Sequence, residues 1–185
     1  AFDVPIWGSE YTARSVKCDR ILTDGETLEL GNQAWQVLIT PGHHPGHICL
    51  LGDAGLIAGD MVAGIGTILI PPHTGDMNVY MEQLERLKNL KPHLLFPSHG
   101  PVIALPIQKF DHYLSHRQAR HQSVYEAVHS GIETLSAIAR AAYADTPNAH
   151  PGLALDQTLS HLVSHQRSGT LVEHSSKWFV NDTKP

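Results

Sequence analysis

Three residues of this 185-residue chain pair metal-ligating side chains with positions that could bring them together: His43, Asp60 and His99. Each follows an apolar, β-like run, at 37–40, 56–59 and 94–96 respectively. The separations of 17 and 39 residues suit no single helix face, but they suit groups carried on separate strand ends. In α/β layers such ends leave the hydrogen-bonded ladder while staying anchored to a rigid sheet. Imidazole nitrogen and carboxylate oxygen hold Zn²⁺, Fe or Mn²⁺ and leave an open position for water. Pro41-Gly42 precedes the first histidine, Gly59 the aspartate, and Gly100 follows the last histidine, as tight aiming loops require. Fourteen histidines in all raise the prospect of metal or proton chemistry without saying which of them take part.

The elements that must position these groups are legible as alternating short runs and turns. Residues 35–40 read as a strand ending at Pro41-Gly42, and 48–51 with 56–59 as a hairpin turning near Asp53-Ala54-Gly55. Residues 24–30 read as a further turn and strand. From Asp76 the apolar residues Met77, Tyr80, Met81, Leu84, Leu87 and Leu90 recur at three and four, predicting a helix capped by Asp76 or Asn78 and closed before Pro92. An apolar strand at 93–96 follows, so the rhythm is that of a mixed α/β layer arrangement. Beyond Pro106 the pattern predicts a long polar helix over 107–129, helices over 135–143 and 153–165, and a two-stranded ribbon at 169–174 and 177–180. Helix, helix and hairpin in that order is the layout of a winged helix.

The segments Thr40-Pro41-Gly42-His43-His44-Pro45-Gly46-His47, Ala58-Gly59-Asp60 and Pro97-Ser98-His99-Gly100-Pro101-Val102 closely resemble the later metal-binding motifs of the metallo-β-lactamase superfamily. The resemblance implies that His43 is a ligand of one metal, His99 of a second, and Asp60 the carboxylate bridging both. His47 would support the site from behind the ligands. It implies two zinc ions, with Mn or Fe as substitutes, and hydrolysis by a metal-bridging hydroxide whose pKa the metals lower to about 7. The stretches 113–120 and 71–77, with the winged-helix layout, resemble the lactamase-β-like branch that includes an endoribonuclease. An RNA or other phosphodiester substrate follows from that, with His73, His116 and Arg117 as residues that would meet it and Arg120 beside them. The Pro-Gly-His loop is also typical of glyoxalase-II-like thioester hydrolases, which makes a small ester or thioester the rival substrate class.

The superfamily's first motif, H-x-H-x-D-H, is absent: no two histidines stand two positions apart, and the sole Asp-His pair is Asp111-His112. By order of motifs, Ala1 falls where that motif and its helix would have ended. The expected fold is therefore α/β, the later half of a metallo-β-lactamase αβ/βα sandwich (1–106), then a connecting helix (107–130) and a small winged-helix-like domain (131–185). Such a chain would need an N-terminal complementing segment or a homo-oligomer to complete its site; a non-catalytic binding or assembly module is the remaining alternative. Residues 131–185 carry 4 Lys or Arg against 5 Asp or Glu, which is no basic footprint for strong independent nucleic-acid binding. Cys18 and Cys49 form no C-x-x-C pair, no apolar run approaches a membrane span, and no leader is visible, so a cytoplasmic protein without membrane contact is expected. Histidines 121, 129, 161, 165 and 174 read as surface residues, and His112 with His116 as a solvated helix face.

Overall fold

The computed structural model describes residues 4–181; the expectation attached to Ala1 lies outside them. Five strands form the main sheet: β3 (Thr27–Leu30), β4 (Gln33–Ile39), β5 (Ile48–Gly52), β6 (Gly55–Gly59) and β7 (Leu95–Pro97), in that spatial order. The first three pairings are antiparallel, and β6 with β7 is parallel. The chain crosses from β6 to β7 through helix α1 (Met77–Asn89), as a parallel pair requires. Ahead of the sheet, β1 (Trp7–Gly8) and β2 (Arg20–Ile21) make a short parallel pair that no periodic pattern announces, each strand being two residues long.

Helix α1 forms as its apolar spacing predicts. Asp76 caps it, its Oδ1 accepting from the Asn78 and Val79 amides at 3.0 and 3.1 Å. Met77, Tyr80, Leu84 and Leu87 are buried against Leu38, Cys49, Leu56, Ala58 and Leu95 from one sheet face, while Leu90 ends the stripe exposed. Register places Val37, Leu50, Ile57 and Phe96 in one row across β4 to β7 on the other face. Val37 is covered there by Leu22 and Leu28, whereas Ile57 remains 39% exposed.

Three further helices follow: α2 (Pro106–His129), α3 (Leu135–Ala142) and α4 (Pro151–Arg167), and then the ribbon of β8 (Leu171–His174) and β9 (Lys177–Val180). The end of α2, α3, α4 and the ribbon share a second core of Val124, Val128, Ile138, Leu162, Leu171 and Trp178. No helix of the described residues is long and apolar enough to cross a membrane.

Two of the histidines expected on the surface are not there. His161 and His165 are buried on α4 against α2, which corrects that expectation. The rings of His121 and His165 stack 3.6 Å apart, and His121 Nδ1 lies 3.2 Å from His161 Nδ1. Burial, and then the neighbouring histidine charge, hold His121 down to about 4; burial, then the charges on His121 and Arg117, hold His161 well below its ordinary value. Burial also lowers His165, although its bond to the His121 carbonyl opposes the shift. Folded-state values below the unfolded 6.5 mean that stability is fully present above pH 6.5 and is lost as pH falls from there toward 4. Thermal unfolding followed from pH 7 to pH 5 should show a loss of about 2 kcal/mol or more, after discounting His121 for screening. His161→Leu should flatten that slope.

Candidate metal centre

His43, Asp60 and His99 converge. His43 stands in the turn after β4, Asp60 directly after β6 and His99 two residues after β7, so three strand ends at one sheet edge carry them. His43 Nε2 lies 3.6 Å from Asp60 Oδ2, and His99 Nε2 lies 3.3 Å from Asp60 Oδ1. The carboxylate is thus flanked by one imidazole on each oxygen. His43 and Asp60 are partly shielded, while the His99 side chain is 70% exposed, so the site opens on the His99 side.

The orientation of His43 follows from its other ring nitrogen. Nδ1 lies 2.8 Å from the Leu69 carbonyl, which can only accept, so Nδ1 carries a proton and Nε2 is the ring nitrogen turned toward Asp60. Asp60 Oδ1 is itself buried without a hydrogen-bond partner, an orphaned anionic oxygen in a place that would otherwise be costly.

His47 holds the backbone of Asp60. The Asp60 amide donates to His47 Nε2 at 2.9 Å, which leaves the proton on Nδ1, and Nδ1 lies 2.7 Å from Thr40 Oγ1. The Thr40 hydroxyl donates on to Cys49 Sγ at 3.3 Å, and the thiol donates to the Ala58 carbonyl at 3.5 Å. Burial, then the charge on His43, brings His47 down to about 4, so it stays a neutral acceptor. Burial pushes the Cys49 thiol up to about 12, so it stays a donor. Gly59 permits this closeness: its φ is +53°, and a Cβ there would stand 2.5 Å from His47 Nε2. Sequence reasoning found His47 but missed Thr40 and Cys49, although Thr40 opens the motif.

The loop after Asp60 is pinned from beneath. Tyr80 Oη donates to the Met61 carbonyl at 2.7 Å, and Tyr113 Oη accepts from the Ala63 amide at 2.8 Å and donates to the Gly66 carbonyl at 3.1 Å. In the sequence Tyr80 showed only as a position of the apolar stripe, and Tyr113 only as the first residue of the 113–120 stretch.

Of the residues expected at a substrate, both arginines are committed to other contacts. Arg117 is 2% exposed, with its guanidinium donating to Gln157 Oε1 at 2.7 Å and to the Ile68 carbonyl. This corrects its assignment to substrate, because a buried guanidinium whose Nη1 and Nη2 are both engaged and which lies over the Tyr80 ring has no free face to offer. Arg120 is likewise buried, paired with Asp145 at 2.9 Å and lying over the Tyr143 ring. His116 is half-buried, and burial followed by the Arg117 charge lowers its pKa. His73 is exposed in the loop before α1. Among the described residues, no hydrogen bond or ion pair joins any of these four to His43, Asp60 or His99.

The donor types fit divalent ions shared through Asp60, and the orphaned Oδ1 is what such an ion would satisfy. Among the described residues, however, no group of three His, Cys, Asp or Glu closes as a complete ligand set. His43 with Asp60, and His99 with Asp60, give two protein donors on each side, short of the three of a usual catalytic zinc.

The site thus stands on a mixed α/β sheet, with histidine, aspartate and histidine following β4, β6 and β7. The model of the metallo-beta-lactamase superfamily matches residues 4–99, and the chain belongs to that family. It is 35% identical over 141 residues to the beta-lactamase-like protein 2 homolog of Drosophila melanogaster, a match covering 74% of this chain and 47% of that protein. A beta-lactamase domain protein from Burkholderia ambifaria superposes with a TM-score of 0.77 at 25% identity, over 89% of this chain and 53% of that one. A flavo di-iron protein from Thermotoga maritima shares the fold, with a TM-score of 0.52 and 21% identity over 71% of this chain and 45% of that one. The chain spans about half the length of the curated relatives it matches.

Proposed function

We propose that this chain supplies the later metal-binding half of a binuclear metal-dependent hydrolase, and that the bond it serves to cleave is a phosphodiester of RNA. One observation carries the hydrolase reading: Asp60 presents both carboxylate oxygens between two imidazoles, one oxygen buried and unpartnered. Bound there, zinc or a substitute would supply a water activated near neutral pH. His43 turns Nε2 toward Asp60 from a ring held at Nδ1, His47 fixes the Asp60 main chain, and the exposed side at His99 leaves room for an extended substrate. The phosphodiester class is supported by the resemblance of 113–120 and 71–77 to the branch that includes an endoribonuclease. Residues 131–185 then form a winged-helix-like appendage that packs rather than reads sequence, in keeping with its near-neutral charge.

Two donors per ion bind metal weakly, and hydrolysis requires completion by a further segment carrying H-x-H-x-D-H. The uncovered end of the apolar row, at Ile57 with Phe96 beside it, gives such a segment a surface to cover. The test supplies such a segment together with Zn²⁺ or Mn²⁺ and assays labelled single-stranded RNA beside a glutathione thioester. Metal-dependent RNA cleavage that disappears with Asp60→Asn is the expected result. Thioester turnover with intact RNA overturns the substrate assignment, and turnover of neither by a complex shown to hold two metals favours the assembly module.

A further inference from the structure

We propose that helix α4 is a strut that sets the orientation of His43, making Gln157 and Ser160 positioning residues for the metal centre; this rests on the reading of His43 as a ligand. His43 is gripped at two points. Its Nδ1–H is fixed by the Leu69 carbonyl, and the carbonyl of Gly42 beside it accepts from the Asp76 amide at 2.7 Å. Neither gripping segment belongs to a strand, so something else must hold each of them.

Helix α4 holds both. The Gln157 side chain brackets Ile70, next to Leu69: Oε1 accepts from the Ile70 amide at 3.2 Å, and Nε2 donates to the Ile70 carbonyl at 2.9 Å. Ser160 Oγ donates to the same carbonyl at 2.6 Å. Arg117 of α2 completes the clamp by joining Gln157 Oε1 to the Ile68 carbonyl, so 68 and 70, on either side of Leu69, are both tied down. These contacts are buried, where a polar side chain with several directed bonds is specified to one geometry. One turn further along α4, Ser164 Oγ donates to Asn78 Oδ1 at 2.6 Å, and Arg167 pairs with Asp76 Oδ2 at 2.5 Å. The same helix face thus runs from the loop that fixes the His43 ring to the cap that fixes its backbone. A helix that only packed on the sheet layer would bury apolar side chains at this face; α4 presents Gln157, Ser160 and Ser164 instead.

The test reads the ring nitrogens of His43 by ¹⁵N NMR in the metal-free full chain, and Zn²⁺ affinity by titration with the metal alone. In the wild type His43 should be the Nδ1–H tautomer. Gln157→Leu combined with Ser160→Ala should turn it into a tautomer mixture and weaken Zn²⁺ binding roughly 10- to 100-fold, the range for groups that orient a ligand. Ser160→Thr alone should keep both properties. Ile138→Val, a core change in α3 remote from the loop, should lower the unfolding temperature without moving either readout. If the double variant does not fold, Arg167→Ala, which alters only a partly exposed pair, should still weaken Zn²⁺ binding severalfold. An Nε2–H tautomer in the wild type, or a folded double variant with unchanged tautomer and affinity, overturns the strut. A wild type that binds no zinc would sink the metal reading, while the tautomer comparison would still decide the role of α4.

Discussion

Asp60→Asn will weaken Zn²⁺ binding by at least about 100-fold while leaving the fold intact. The carboxylate serves both flanking imidazoles, at 3.6 and 3.3 Å, so its charge is lost to both sides of the centre at once. Removing a group that merely orients a ligand costs 10- to 100-fold in affinity, and removing a shared anionic ligand should cost at least the upper end of that range. Stability should hardly change. The contact of residue 60 with His47 runs through its main-chain amide, which asparagine keeps, and Oδ1 has no hydrogen bond to lose. Asp53→Asn, at the exposed hairpin turn between β5 and β6, is the matched control and should bind as the wild type does. Affinity unchanged in Asp60→Asn would place the metal elsewhere.

Gly42→Ala should be the most damaging single methyl in the molecule, costing about 3–5 kcal/mol in thermal or denaturant unfolding. Two effects add. Gly42 has φ +134°, where an L side chain is strained. A Cβ there would also stand 2.4 Å from Tyr80 Cα and 2.6 Å from Tyr80 N, main-chain atoms of α1 that cannot swing aside. Gly25→Ala separates the two. Its φ is +83° with nothing within 4 Å, so it carries the strain alone and should cost about 1–2 kcal/mol. Equal losses in the two variants would mean that the close approach of the His43 loop to α1 carries no energy.

What the sequence disclosed, and what it did not, follows from how far each signal reaches. The sheet runs, the Asp53-Ala54 turn and the Asp76 cap are local, and the observed elements keep to them within a residue or two. His43, Asp60 and His99 were singled out because strand ends were recognisable, and the sheet order brings those ends to one edge. Arg117, His161 and His165 went the other way. Helices α2 and α4 meet along polar faces, and a polar face buried against another polar face has no hydrophobic period to announce it. The grips on His43 were hidden for a related reason. Leu69 and Asp76 act through a carbonyl and an amide, groups that every residue has, so no side-chain pattern marks them. The family match over residues 4–99 covers the ligand candidates and α1 but neither α2 nor α4, which also brace them.

The proposed metal position lies between His43, Asp60 and His99. Its most direct test is ring-nitrogen NMR of the fourteen histidines during titration of the full chain with Zn²⁺. Nε2 of His43 and Nε2 of His99 should move first and together, with His47 keeping its Nδ1–H signature and the His121, His161 and His165 group unmoved. Zinc that shifts the α2–α4 histidines, or His112 and His116, while leaving His43 and His99 unchanged would contradict it.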